Sequence, residues 1–482
     1  MSLQSIRKAA LENPEHVAIV HNGLKINYGG FAAAISYAAD FLRQQSLEKG
    51  DTVAVLCPLP DSWVTVLALQ SLGVDTVCML TPSYIQHLSL NDVRTIVVAH
   101  GYAGASILSE EIEDGCSVVE MPKADFSSTE HFSDMVWDET GGHIVFTSGT
   151  TGVYKKLYYE AGLQQARLQE RVEYGRVRPS GSCHCHSFGM WTSVGYKIPL
   201  AMWQAGACVY FDERDDWFRH FRDIPMSEAI LIPDMIPQLL DYLQDKPTPD
   251  PLPDFKLHVT AGFLSRDLAE ALLSKVTSRL IVAYGSTETN VAVLQSTVSD
   301  LDDMHWLAPT NFHSVEIVDE SGEICPDGVE GELRVRLNSL DLQCYVDDEA
   351  ASNKAFRHGC FYPGDMGVCR ANGDIRVLGR SADVVSFGGK KLAVAPIELD
   401  LQRRLGVSSV CLFSGVSDEG EDEIVVVIES SAWPPKVQLA TLSKELKEFS
   451  EVRFALLARF PRTTSGISKI NRRELRKMVF AS

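Results

Sequence analysis

Residues 143 to 156 read HIVFTSGTTGVYKK, from His143 to Lys156: an apolar run, then small hydroxyl and glycine residues, then paired lysines. Gly149 and Gly152 allow close approach to the backbone. The hydroxyls of Thr147, Ser148, Thr150 and Thr151 can donate hydrogen bonds, and Lys155 adds positive charge, which together equip a loop to wrap phosphate. A Walker loop needs Gly-Lys followed by Ser or Thr at the opening of a helix. Here Lys155 follows Tyr154 and precedes Lys156, so that motif is absent. Taken alone, the segment also reads as a surface turn rich in Ser, Thr and Gly.

Five further signals follow downstream: YGSTE at 284–288, FYPGDMG at 361–367, GRSAD at 379–383, GGKKLAVAPIE at 388–398 and PRTTSGISKINRRELR at 461–476. With the loop at 143–156, their order resembles that of the adenylate-forming superfamily, which includes acyl-CoA and aryl-CoA synthetases, peptide-synthetase adenylation domains and luciferases. The resemblance runs from about residue 15 to 477. It implies an α/β fold with a large layered N-terminal domain and a small α+β C-terminal domain on a hinge. The boundary falls near Gly379 to Asp383, giving residues 1–380 for binding ATP and acid and 381–482 as a mobile domain.

The resemblance also implies roles. Thr147, Ser148, Gly149, Thr150, Thr151, Gly152 and Lys155 would hold the β- and γ-phosphates. Tyr284 would lie against the adenine, with Gly285 in the same turn; Thr287 would donate to the α-phosphate, and Glu288 would bind Mg²⁺ as a hard oxygen ligand. Asp365 would accept from the ribose hydroxyls and Arg380 would add a nearby cation. Ala261 and Gly262, after the apolar Leu257 to Val259, would floor the purine. The family ends in SGKIxRRxL, whose lysine bridges carboxylate and phosphate oxygens. Here the string is SGISKINRREL: counting back from Arg472, Arg473 and Leu475 puts Lys469 in that role, while counting forward from Gly466 puts Ile467 there. Two extra residues in a glycine-containing loop cost little entropy, which favours Lys469. Other departures are Tyr154 and Pro363, in place of the family's proline and threonine, and Ala382 at the hinge.

Composition narrows the class. A chain of 482 residues exceeds one hydrophobic core, and a net charge of −20 argues against general nucleic-acid or anionic-membrane binding. Eleven scattered cysteines and an N-terminus without a signal-like apolar stretch predict a cytoplasmic setting, and no apolar run approaches membrane-spanning length. Helical periodicity over 28–44 and 62–72 brackets an apolar segment at 52–56, the rhythm of a layered α/β domain. Beyond Asp383 the rhythm becomes strand, helix, strand, strand, helix, strand, that of a split βαβ module. Helices are predicted at 396–404 and 437–449, and strands at 409–414, 423–428 and 453–458.

The string CHCH at 183–186 invites a metal. On a strand, however, Cys183 and Cys185 face one side while His184 and His186 face the other, so four ligands cannot converge. In HSFG, His186 matches the family's HxFG, where that position guards the acyl site; a core histidine is the alternative. Amino-acid-adenylating relatives carry an aspartate after the aromatic residue of this segment. Here Gly189 follows Phe188, which favours an acid without an α-amine. Met190, Trp191 and Tyr196 line an acid pocket or belong to the core. The implied activity is an ATP- and Mg²⁺-dependent acid–thiol ligase that makes an acyl-AMP and passes the acyl group to coenzyme A. Alternatives are loading of the phosphopantetheine arm of an acyl carrier protein, and a nucleotide-binding pseudoenzyme.

Overall fold

The computed structural model describes residues 2–79, 90, 92–102, 116–128, 135–147, 154–185, 188–211, 226–244, 252–380, 384–387, 390–407, 409–416, 422–446, 451–462 and 470–480. Thr52–Leu56 is a strand, as the sequence predicts. It sits in a six-stranded sheet ordered Ser117–Glu120, Val93–Val98, Thr52–Leu56, Asp75–Cys78, His143–Thr147, Lys155–Tyr159. Every pairing is parallel except the last, an antiparallel hairpin. The predicted helices are Tyr28–Arg43 and Asp61–Ser71. The Asn27 side chain caps the first by accepting from the Gly30 amide at 2.8 Å. In the second, every residue from Ser62 to Ser71 is buried, as expected of a helix that is apolar on all sides.

A second sheet of nine strands is ordered Ala308–Pro309, Leu294–Thr297, Thr277–Tyr284, Leu252–Val259, Glu228–Leu231, Ser182–His184, Cys208–Phe211, Val17–His21, Leu24–Asn27. Its six central strands are mutually parallel. Leu252–Val259 and Thr277–Tyr284 therefore end at the same edge, where open α/β sheets collect ligands. A third, antiparallel sheet brings Asp365–Cys369 beside Ile375–Arg380, with Asp365 directly opposite Arg380. Residues so paired project side chains to one face, which is why these two meet.

The remainder forms a smaller body. Ser409–Val416 pairs antiparallel with Asp422–Glu429, which pairs parallel with Glu451–Leu457 across helix Lys436–Leu446. Both faces of this sheet are covered. Val410, Leu412, Ile424, Val426 and Ile428 pack toward helices Val394–Leu405 and Lys436–Leu446, whereas Cys411, Phe413, Val425 and Val427 pack against Leu475 and Val479. The predicted α+β module is present with shifted ends. The expected strand before the first helix is a hairpin, Val384–Phe387 with Lys390–Ala393, and a last helix, Arg472–Phe480, follows the expected elements. Among the described residues no helix is long and apolar enough to cross a membrane.

His143 opens the strand that leads into the glycine-rich loop. It is buried, donates Nε2–H to the Met190 carbonyl at 2.9 Å, approaches Thr76 Oγ1 at 2.8 Å through Nδ1 and stacks on Tyr196. Burial pushes its pKa down to about 4, against the smaller upward pull of the Met190 carbonyl. The unfolded chain therefore takes up this proton first as pH falls. Stability should drop between pH 6.5 and about 4, by on the order of 3 kcal/mol from this residue. Denaturant titrations of wild type and His143→Gln across that range check this, since the variant should lose that part of the slope.

Candidate active site

The three large sheets enclose a cavity of about 870 Å³. Thr147 and Lys155 line it from the first sheet, Ala261, Gly262, Tyr284, Gly285, Thr287 and Glu288 from the second, and Asp365 and Arg380 from the third. Residues separated by more than 200 positions thus share one space. The predicted site residues Ser148, Gly149, Thr150, Thr151, Gly152, His186 and Lys469 lie outside the described residues.

Strand alternation separates the paired lysines. Lys155 sits opposite Thr147 in the hairpin register and sends its ammonium over the Tyr345 ring, 4.3 Å from the centroid. Burial lowers its pKa, while Glu288 and Asp348 pull the other way. Lys156 instead forms a 2.6 Å ion pair with Asp347. Tyr345, which carried no sequence signal, donates its phenol to Glu288 Oε1 at 2.6 Å. Glu288 is buried, and its second oxygen has no hydrogen bond among the described residues. Mg²⁺ needs only one or two carboxylates when phosphates and water complete its octahedron, so a single oriented carboxylate beside a lysine fits a nucleotide-borne Mg²⁺. Ser286 Oγ, in the same turn, is buried with no partner among the described residues, a donor open to a ligand oxygen.

On the opposite wall Asp365 accepts from the Tyr284 phenol and pairs with Arg380 Nε at 3.2 Å. Arg380 also donates to the Pro363 carbonyl. Burial first, then Asp365, holds the Tyr284 pKa well above the tyrosine range, so the phenol keeps its proton and fixes its ring. A carboxylate has about four acceptor sites, so Asp365 can serve two further donors such as a ribose diol. Ala261 adopts φ +63°, a left-handed conformation costly for alanine. A Cβ on Gly262 would meet Pro233 at 3.1 Å. The Pro233 ring, as well as any purine, therefore explains a glycine there.

The rest of the cavity is more apolar. A Cβ on Gly189 would lie 2.1 Å from the Trp191 ring, so the indole occupies the space an aspartate would need. Trp191 lines the cavity, and its buried Nε1 has no partner among the described residues. Met190 and Tyr196 belong to the core, the latter stacked on Trp63 and His143. Cys183 and Cys185 share one face, with sulfurs 3.9 Å apart. Lys197 and Arg171 also line the cavity. Neither belongs to a motif, although a lysine inside the apolar helix Ser193–Gln204 is itself a signal.

Comparison with known proteins gives a match to the family model for AMP-binding enzymes over residues 6–341. The chain belongs to the AMP-binding enzyme family. A human relative of this AMP-binding enzyme, the mitochondrial acyl-coenzyme A synthetase ACSM2A, is 23% identical over 478 residues, covering 89% of this chain and 80% of its own. Bacitracin synthase 1 of Bacillus licheniformis is 22% identical over 486 residues, covering 97% of this chain and 9% of its own. Among solved structures, the o-succinylbenzoate CoA synthetase MenE of Bacillus subtilis, in complex with its acyl-adenylate, superposes with a TM-score of 0.80 at 19% identity. It covers 98% of this chain and 97% of its own, a likeness of fold.

Proposed function

We propose that this AMP-binding enzyme is an acid–thiol ligase that activates a carboxylic acid lacking an α-amine and transfers the acyl group to coenzyme A. The observation that carries this reading is the convergence of Lys155, Glu288, Tyr284, Asp365 and Arg380 on one cavity beside an apolar pocket. The acid's carboxylate attacks the α-phosphorus of ATP and pyrophosphate leaves. The thiol then attacks the acyl carbon and AMP leaves. Both anions need neutralising as they meet. Lys155 with Thr147, Ser148, Gly149, Thr150, Thr151 and Gly152 holds the departing phosphates, and Thr287 donates to the α-phosphate. Glu288 would hold Mg²⁺, which would offset phosphate charge. Asp365 grips the ribose, Arg380 steadies that carboxylate, and Ala261, Gly262, Tyr284 and Gly285 frame the base. His186 screens the acyl end until the thiol enters.

Residues 1–380 act as the binding body and 381–482 as the moving one. One contact supports an adenylation arrangement. Arg462, which precedes residues 463–469, lies 3.4 Å from Asp234, beside the Pro233 that backs Gly262. Eleven free thiols suit a reducing, cytoplasmic setting. The likeness to bacitracin synthase 1 along nearly the whole chain favours, as a second reading, a carrier protein's phosphopantetheine thiol as acceptor.

Acid-dependent exchange of pyrophosphate into ATP, followed by mass spectrometry of coenzyme A and carrier-protein products, tests these readings. Acyl-CoA is expected, and the absence of exchange with every acid in a broad panel would refute the ligase. Because Trp191 fills the space beside Gly189, α-amino acids should exchange at least about tenfold more slowly than their deaminated analogues. An α-amino acid as the best substrate would contradict this.

A further inference from the structure

Lys197 is the only charged residue of helix Ser193–Gln204 and is 2% exposed. Its ammonium donates to the carbonyls of Thr289 at 3.2 Å and Asn290 at 3.1 Å, which leaves one N–H over. From helix Ala161–Gly175, Arg171 Nη1 donates to the same Asn290 carbonyl at 2.7 Å. Two cations therefore converge on one neutral oxygen. A third, Arg167, lies with Lys197 over the Tyr159 ring, its Nη1 buried and without a hydrogen-bond partner among the described residues.

None of the three has a carboxylate within ion-pair distance among the described residues; of the nearby carboxylates that act on Lys197, Glu288 is bound by Tyr345 through one oxygen. Asp341 holds His313 at 3.0 Å and Glu170 accepts from the Asn290 side chain at 2.7 Å. Buried charge without a counter-ion is costly, and like charges sharing one acceptor add to the cost. An anion among them relieves it. Burial first, then Arg171 and Arg167, lower the Lys197 pKa well below the lysine range, against the pull of Asp341 and Glu288.

The phosphates are served by Lys155 from another sheet, so the anion in question is a different one. Lys197 and Arg171 line the cavity together with Trp191, Ile198 and Met202, on the acid's side of the site. We propose that the inner end of the acid pocket receives a second carboxylate of the substrate acid, with Arg171 and Lys197 as the residues that select a dicarboxylic acid. This rests on the adenylation reading above. Glu228 also lines the cavity but lies 3.5 Å from His258, a partner within the wall itself.

The test compares ATP–pyrophosphate exchange with glutarate against valerate, succinate against butyrate and terephthalate against benzoate. In at least one pair the diacid should lead by about a hundredfold in kcat/KM, the scale of a charge-assisted contact in a desolvated site. Arg171→Gln keeps a donor for the Asn290 carbonyl while removing the charge. It should raise the diacid KM about tenfold or more and improve the matching monoacid. Lys197→Gln should act the same way, with melting temperatures confirming that both variants fold. Calorimetry of each diacid with wild type and Arg171→Gln, in the presence of a non-hydrolysable ATP analogue, gives a readout independent of turnover. Exchange led by the monoacid in every pair overturns the proposal and leaves adenylation standing. So does a best substrate bearing an amine, which points to Glu228, or an Arg171→Gln effect equal on both members of a pair. Arg171-dependent diacid binding without exchange by any acid supports the dicarboxylate receptor and refutes adenylation. Diacids that neither bind nor exchange overturn the receptor.

Discussion

Lys469→Ala is expected to slow acyl-adenylate formation by roughly 10²- to 10³-fold, the loss typical of a single group that stabilises developing charge in the transition state. Thioester formation from supplied acyl-AMP and thiol should stay near the wild-type rate, because the proposed domain alternation takes Lys469 away from the acyl-adenylate for that step. The residues on either side of 463–469 are held. Arg462 forms a β-bridge with Ile470 and ion-pairs with Glu429 at 2.8 Å, and the Asn471 amide donates to the Pro461 carbonyl at 2.7 Å. Arg472 opens the last helix with bonds to Glu398 at 2.8 Å and to the Leu412 carbonyl at 2.8 Å. Held flanks at Arg462 and Ile470 support the proposed register, in which Lys469 is counted back from Arg472. Single-turnover measurements of the two half-reactions check this, with Lys155→Ala as a control that impairs only the ATP-dependent step. Normal adenylation by Lys469→Ala would show the register across Ile467 and Ser468 to be wrong.

Asp365→Ala should weaken ATP binding and adenylation by roughly 2–4 kcal/mol, since it removes charge-assisted bonds in a partly desolvated site. Structure adds a second consequence. Arg380 loses its ion-pair partner and the Tyr284 phenol loses its acceptor, so the variant should also be less stable by on the order of 1–3 kcal/mol. Tyr284→Phe, which keeps the carboxylate, should cost ATP affinity only about 1 kcal/mol. Calorimetry with ATP and 3′-deoxy-ATP separates the effects: wild type should discriminate between the nucleotides and Asp365→Ala should not. Unchanged ATP affinity in Asp365→Ala would remove the residue from the ribose site.

The meeting of the candidate site residues in one cavity was legible where they are neighbours in sequence. One turn after a parallel strand places Tyr284, Thr287 and Glu288 together, and a period of two decides that Lys155 rather than Lys156 enters the cavity. What was not legible comes from distant segments. Tyr345 reaches Glu288 from 57 positions away, and Arg171 and Lys197 meet only through the Asn290 carbonyl. Gly189 was visible, but the reason for it, the Trp191 ring, needed the fold. In the small body, Ser409–Val416 and Asp422–Glu429 show little alternation because both faces are buried. The last helix was missed because its basic residues hide an apolar pair, Leu475 and Val479, spaced one turn apart.

The central claim, that the acid is activated as its adenylate, is tested most directly by oxygen transfer. With the best exchanging acid labelled with ¹⁸O in both carboxylate oxygens, ATP, Mg²⁺ and coenzyme A, the attack proposed here leaves one acid oxygen on the α-phosphorus. Mass spectrometry should find AMP carrying a single ¹⁸O and unlabelled pyrophosphate. Unlabelled AMP, or label in released phosphate, would contradict the account.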